Sequence, residues 1–203
     1  MKCLSLLSSF QKMRRRCCTI FNNHSNLEGR HAFLSPSYYH WINYDDQKLE
    51  ARFFSHRSSQ RGTDLHALAK EAIRLGVKLS KSNPTLSMYV NDAIGYKMNV
   101  EQPLYYSDNC FGTADAISFR RGKLRIHDLK TGINPASMKQ LEVYAAIFCL
   151  EYGHSPYEIA IELRIYQNGE VIVHEPDPEH ILFIMDKIIE SDMKIEMLKQ
   201  EGM

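Results

Sequence analysis

The spacing of apolar residues changes once in the middle of this chain, and that change restricts the possible folds more than any other feature. Before Met98, one segment carries apolar residues at helical spacing. These residues are Leu65, Leu68, Ala69, Ala72 and Leu75. From Met98 to Lys130 the apolar residues alternate with polar ones, which is the pattern of β-strands. We therefore expect an α/β fold in which a mixed sheet is flanked by helices.

From residue 59 onward, turn and cap residues divide the chain into elements in the order helix, helix, three strands, helix, two strands, helix. Ser35 and Pro36 are expected to open a first helix, and Asn134 with Pro135 to open the helix that ends at Tyr152. Asn168-Gly169 predicts a hairpin. The remaining predicted elements are helices 59–77 and 85–94, strands 98–107, 111–119, 123–130, 157–166 and 170–174, and a final helix opened by Asp177 and Pro178.

Charge separates the first 30 residues from the remainder of the chain. They carry six Lys or Arg against one acidic residue, whereas the other 173 carry 19 basic and 23 acidic residues. We predict one globular domain over 31–203, preceded by a basic segment over 1–30 that is a flexible tail, a mitochondrial targeting sequence or a nucleic-acid-binding arm. The acidic balance after residue 30 excludes nonspecific coating of nucleic acid, so any such contact must be local. A bacterial host cytoplasm is the favoured compartment, with the mitochondrion as the alternative.

Several classes of protein are excluded by what the sequence lacks. No apolar run reaches the roughly 18–20 residues of a membrane span, so no membrane partner is expected. The five cysteines include no C-x-x-C pair, which predicts no disulfide and no four-cysteine metal site. No G-x-x-x-x-G-K-[ST] loop occurs, so we expect no nucleotide cofactor.

The third predicted strand carries the residues with the clearest chemical potential. Asp128 and Lys130 share a strand face with the apolar Leu124 and Ile126, and Asp115 comes from the strand before. Two carboxylates on neighbouring strands suit a hard divalent cation such as Mg²⁺ or Mn²⁺. Such a cation, with a lysine to orient water, fits phosphodiester hydrolysis.

The alternative is a surface ion pair between Asp128 and Lys130. Acid-x-Lys triplets also occur at Asp46 and Asp192, both in predicted helices, so the triplet alone is not informative. Its context distinguishes the one at Asp128. That triplet lies on a strand, follows Gly-Thr-Ala-Asp, and precedes a helix in which Gln140 and Tyr144 share a face at i, i+4.

Together these motifs resemble the PD-(D/E)xK nuclease superfamily and, within it, the RecB-like exonucleases of phage or organellar type. The resemblance covers about residues 35 to 175. It implies a restriction-endonuclease-like core with elements in αβββαβ order. Relatives with an iron–sulfur cluster use three cysteines near the C-terminus, and no cysteine follows Cys149 here, so no cluster is expected.

The resemblance also implies a role for each motif. His66, in Gly-Thr-Asp-Leu-His, is similar to a metal ligand of the family, as are Asp115, Asp128 and the backbone carbonyl of Leu129. Lys130 is similar to the catalytic lysine. The remaining expectations are catalytic or ordering roles for Gln140 and Tyr144, and substrate contacts for Arg120, Arg121 and Thr131, with a solubilising hairpin tip as the alternative for the two arginines.

The function implied is a Mg²⁺- or Mn²⁺-dependent exonuclease acting on DNA ends or single strands in recombination, repair or degradation. DNA is the expected partner, together with a recombination or replication protein. Two alternatives remain: a structure-selective endonuclease on the same core, and a catalytically silent nucleic-acid-binding protein.

Overall fold

The computed structural model describes residues 32–80, 82–132 and 134–201. The chain divides into two compact units, Met1–Phe53 and Phe54–Met203. The predicted basic segment 1–30, with its three alternative roles, lies outside the described residues. Among the residues that are described, no helix is both long enough and apolar enough to span a membrane.

The described part of the first unit contains a short 3-10 helix, Pro36–Asn43. Ser35 caps it as predicted, because its Oγ accepts a hydrogen bond from the Ser37 N–H at 3.4 Å. The segment does not continue as a regular α-helix from Pro36. Instead α1, Asp46–Leu75, begins after Asp45, whose carboxylate accepts the Lys48 N–H at 2.7 Å.

The other elements follow in the predicted order of strands and helices. They are α2 (Pro84–Gly95), β1 (Asn99–Ser107), β2 (Cys110–Arg120), β3 (Lys123–Leu129), α3 (Lys139–Tyr152), β4 (Ala160–Gln167), β5 (Glu170–His174) and α4 (Pro178–Glu201). The expected α/β class with helices flanking a mixed sheet is confirmed.

The five strands form one sheet in the order β1-β2-β3-β4-β5. All neighbours are antiparallel except β3 and β4, which are parallel and are connected through α3. The predicted hairpin at Asn168-Gly169 is present, and a second tight hairpin joins β2 to β3. Arg121-Gly122 and Asn168-Gly169 each adopt positive φ at both positions, as a two-residue type I′ turn requires.

The sheet separates two apolar clusters. Leu124 and Ile126 of β3 belong to the cluster that packs under α3 and includes Ile181 of α4. Leu129 belongs to the other cluster, with residues of α2 and with Ala69 of α1. Successive β3 residues therefore serve opposite faces, as alternation along a strand requires.

The predicted stripe of α1 is partly wrong. Ala69 and Ala72 are buried, but Leu68 and Leu75 are 51% and 67% exposed, and Ile73 is buried instead. Gly62 is also buried. The helix thus turns its small residues towards the sheet, where the backbone of α1 approaches the end of β3.

The predicted start of α3 at Asn134 is also wrong, since the helix begins at Lys139. The buried side chain of Gln167 explains the delay. Its amide nitrogen donates to the carbonyls of Gly132 and Asn134 at 2.6 and 2.7 Å, and its oxygen accepts the Ala136 N–H at 3.3 Å. These hydrogen bonds hold the segment in a non-helical conformation.

Candidate active site

His66 and Asp115 meet beside the end of β3. His66 lies on α1, and its Nδ1 is 3.5 Å from Asp115 Oδ2. The same carboxylate oxygen accepts the backbone N–H of Leu129 at 3.1 Å. The Asp115 side chain on β2 is therefore fixed to β3 at the point where that strand ends.

Asp128 and Lys130 form a second part of this site. Asp128 is the penultimate residue of β3 and is buried, and Lys130 lies just beyond the strand. The Lys130 N–H still donates to the Tyr166 carbonyl of β4 at 2.9 Å, which fixes the lysine backbone. Its ammonium donates to Asp128 Oδ1 at 3.1 Å and lies 2.9 Å from Oδ2.

Gln140 and Tyr144 extend the site onto α3. Gln140 Oε1 accepts a hydrogen bond from the Lys130 ammonium at 3.0 Å, and its amide nitrogen donates to the Tyr144 hydroxyl at 3.5 Å. That hydroxyl donates to the Thr113 carbonyl of β2 at 2.8 Å. One polar chain thus connects β3, α3 and β2.

Glycines of two motifs lie where site side chains pass close to the backbone. A Cβ at Gly112 would be 2.9 Å from the Tyr144 ring, and a Cβ at Gly62 would be 2.7 Å from Thr131 Oγ1. Neither glycine has the positive φ that would demand glycine for backbone reasons. Their small size is what admits Tyr144 and Thr131.

Burial and charge act together on the Asp115 carboxylate. Burial, and next the negative charge of Asp128, raise the pKa of Asp115, against the opposing effects of the Leu129 N–H, His66 and Lys130. Burial, followed by the charges of Asp115 and Asp128, also raises the pKa of the Tyr89 phenol, which lies in α2. The two carboxylates therefore act on common neighbours in a poorly solvated region.

The donor atoms suit a divalent cation, although a complete ligand group is not preformed. Within the described ranges, no three His, Cys, Asp or Glu side chains are grouped closely enough to hold a metal. Asp128 Oδ2, however, is buried and lies 2.9 Å from the Lys130 ammonium, the cation with which it forms an ion pair. Carboxylate oxygens of this kind are the ligands that Mg²⁺ and Mn²⁺ prefer, with His66 as a nitrogen donor nearby.

A polar cavity of about 280 Å³ opens beside Lys130. Thr131 is one of the residues that line it. Leu129 and Leu65 supply apolar lining. The polar and charged lining residues are Ser58, Arg61, Asn83, Thr85, Lys130, Thr131 and Asn168.

Sequence reasoning missed most of these cavity residues. Asn168 was identified only as a turn former, yet the turn is fixed to α2 because the Gly169 N–H donates to Thr85 Oγ1 at 2.7 Å. Arg61 precedes the glycine of the first motif, which was the one available signal for it. Asn83 was detectable only as a helix cap, a role it does perform for Leu86.

Arg120 and Arg121 are not brought to this site. They lie at the turn between β2 and β3, beside Lys123 at the start of β3. Asp128 is five residues further along that strand, a separation of about 16 Å at the usual rise per residue. The structure therefore brings together His66, Asp115, Leu129, Asp128, Lys130, Gln140 and Tyr144, with Thr131 adjoining, and leaves the two arginines at the opposite end of β3.

Comparison with protein-family models, with curated proteins and with solved structures finds no significant match to this chain. Function is therefore argued from the geometry of the site and from the motifs.

Proposed function

We propose that this chain is a metal-dependent nuclease that hydrolyses phosphodiester bonds in DNA, acting as an exonuclease on ends or single strands. We further propose that it belongs to the PD-(D/E)xK superfamily and that its sheet and helices form a restriction-endonuclease-like core. The observation that carries the proposal is the convergence of Asp115, Asp128 and Lys130 at the end of β3, beside a polar cavity.

Each of these residues has a distinct task in such a reaction. Asp115 and Asp128 would hold Mg²⁺ or Mn²⁺ with His66, and that ion would polarise the scissile phosphate and activate water. Lys130 carries a positive charge at the cavity wall, where it can orient the attacking water or stabilise added negative charge on phosphate. Gln140 accepts a second hydrogen bond from the lysine ammonium and so helps to hold it in place.

Tyr144, Gly62 and Gly112 would support this arrangement without contacting the reacting atoms. The Tyr144 hydroxyl connects Gln140 to the backbone of β2, so the lysine is held by two elements. Positional precision of this kind matters because misplacement by about 1 Å can cost on the order of 100-fold in rate. The cavity lining of Arg61, Asn83 and Thr85 supplies donors for a phosphate or sugar near the lysine.

The test is digestion of DNA of different topology. End-labelled linear duplex, linear single strand and covalently closed circular DNA are incubated with the full chain and Mg²⁺, Mn²⁺ or chelator. We expect metal-dependent loss of linear substrates while the circle survives, because a circle offers no end.

Other outcomes would change the assignment in defined ways. Cleavage of the circle would favour the endonuclease alternative on the same residues. Binding of DNA without cleavage of any substrate in either metal would overturn the enzymatic proposal and favour a catalytically silent binding protein.

A further inference from the structure

A basic recess lies at the amino end of β3, away from the candidate active site. It has a volume of about 710 Å³ and is formed where the end of α2 meets the β2–β3 turn. Apart from Gly95 and Tyr96, every residue lining it is cationic. These cationic residues are Lys97, Arg120, Arg121, Lys123 and Arg125.

The five cations differ in how far they are neutralised. Lys123 and Arg125 lie 2.7 and 3.2 Å from the Glu162 carboxylate, which Arg164 also contacts at 3.0 Å. Burial raises the pKa of Glu162, but the hydrogen bond from Lys123 and the neighbouring positive charges outweigh it and lower that pKa, so Glu162 stays ionised. By contrast, Lys97, Arg120 and Arg121 form no ion pair with any carboxylate of the described residues.

The backbone that carries the three unpaired cations is well defined. Lys97 and Arg121 both adopt positive φ, 52° in each case, at the end of α2 and in the type I′ turn. An Arg120 guanidinium nitrogen lies 3.4 Å from the Lys97 carbonyl, which joins the two segments. Beneath them, the guanidinium of Arg125 is 4.6 Å from the centre of the Tyr96 ring.

The composition of the recess favours a phosphate backbone over a protein partner. Protein interfaces are anchored by buried aromatic and apolar residues, and the one aromatic ring here is already covered by Arg125 and Arg164. A phosphodiester backbone needs only positioned positive charge. Because residues 31–203 are acidic overall, three unpaired cations on one surface form a local site rather than part of a general basic coat.

We propose that Lys97, Arg120 and Arg121 form a second DNA-binding surface, which contacts the phosphate backbone about 16 Å from the candidate cleavage site. The inference that the bound polyanion is DNA rests on the proposed nuclease function. The inference that a cationic binding surface exists rests only on the residues that line the recess. Its role would be to hold DNA on the protein through contacts that are independent of the metal site.

The test measures DNA binding in chelator, so that no cleavage occurs. A labelled 30-nucleotide strand and its duplex are titrated with the full chain over a series of salt concentrations. The variant is K97Q/R120Q/R121Q, and the matched control is R74Q/K78Q/K194Q, which removes three exposed cations elsewhere. Thermal unfolding of all three proteins verifies the fold.

We expect the variant to bind duplex at least about 10-fold more weakly, and the slope of log K against log salt to fall by about one for each lost phosphate contact. The control should change neither quantity appreciably. Equal losses in the variant and the control would overturn the proposal, as would an unchanged variant. Competition by polyglutamate as effective as by DNA of equal charge would also overturn it, because the surface would then not be specific to a phosphate backbone.

The same experiment separates this inference from the proposed function. If the wild-type chain cleaves DNA in Mg²⁺ but the variant binds DNA unchanged, the second surface is disproved and the nuclease stands. If the wild-type chain cleaves nothing but the variant loses affinity and salt dependence, the nuclease is disproved and the surface stands.

Discussion

Along β3, polar and apolar side chains follow each other in opposite order on the two faces of the strand. On the face under α3, Leu124 and Ile126 are buried among apolar residues, and the charged Asp128 comes last. On the other face the order is reversed, with Lys123, Arg125 and His127 followed by the apolar Leu129. One strand therefore presents carboxylate chemistry at its carboxyl end and positive charge at its amino end.

The charged side chains at the two ends of β3 also differ in their ion pairs. At the carboxyl end, the buried Asp128 carboxylate pairs with the Lys130 ammonium, which lies 3.1 Å from Oδ1 and 2.9 Å from Oδ2. At the amino end, Glu162 accepts from three cations and leaves others unpaired on the surface. The arrangement at the carboxyl end suits a chemical reaction at a single point. The arrangement at the amino end suits the binding of an extended polyanion.

Substitution of Asp128 by asparagine should produce the largest effect, because it removes the charge that we propose binds the metal but keeps the shape of the side chain. We expect cleavage to fall by about 10³-fold. The matched control is Asp46→Asn, which alters an acid-x-Lys triplet on an exposed helix end. Initial rates on end-labelled linear DNA in Mg²⁺ measure the effect. Equal rates for the two variants would show that the strand context of Asp128 is irrelevant.

Gly112→Ala should have an intermediate effect through displacement of Tyr144. The new Cβ would meet the phenol ring at 2.9 Å, so the hydrogen bond from Tyr144 to the Thr113 carbonyl should be lost. We expect about a 10-fold fall in kcat with little change in DNA affinity. Gly95→Ala is the control, since a Cβ there meets nothing within 4 Å. A fall of the same size in both variants would exclude the Tyr144 contact as its cause.

His127 lies on the face of β3 that also carries Lys123 and Arg125. It should make the free energy of unfolding depend on pH. Burial, followed by the charge of Arg164, lowers the pKa of His127 to about 3. The Tyr166 hydroxyl donates to Asp92, so the 3.1 Å contact between that hydroxyl and His127 Nδ1 makes Nδ1 the donor. Nε2 is left as a buried acceptor with no hydrogen bond to the described residues.

The sign of the effect follows from proton binding. Between about pH 6.5 and pH 3 the unfolded chain protonates this histidine and the folded chain does not, so stability should fall as the pH falls. The slope of the free energy of unfolding against pH should approach about 1.4 kcal/mol per pH unit. His127→Phe should flatten that slope in urea unfolding at several pH values. An unchanged slope in the variant would mean that other groups cause the acid sensitivity.

The sequence predicted the sheet and its hairpins because those features depend on local residues. Asn168-Gly169 adopts the positive φ values that the dipeptide favours, and the alternation of β3 predicted the burial of Leu124 and Ile126. It did not predict that His127 and Leu129, on the opposite face, would be buried as well. The start of α3 was not predictable locally. It depends on Gln167, about 30 residues away, which occupies the backbone groups that a helix from Asn134 would use.

Some residues of the candidate site were likewise predictable from the sequence, and others were not. Asp115, Asp128 and Lys130 were identifiable from alternation and strand adjacency, and the structure does bring them to one edge. Arg120 and Arg121 lie apart from this edge, because the turn that carries them precedes β3 and so lies at the opposite end of that strand, and their predicted contact with substrate stays a prediction. The roles of Gly62 and Gly112 required the three-dimensional approach of Thr131 and Tyr144.

The most direct test of the account compares two lysines that follow an acid-x pattern in different contexts. Lys130 stands at the end of β3 between Asp128 and Gln140, whereas Lys194 is on the helix α4. Initial cleavage rates on linear DNA in Mg²⁺ are measured for Lys130→Ala and Lys194→Ala, with melting temperatures to verify folding. The account predicts at least about a 100-fold loss for Lys130→Ala and a wild-type rate for Lys194→Ala. A folded Lys130→Ala protein that cleaves at the wild-type rate would contradict it.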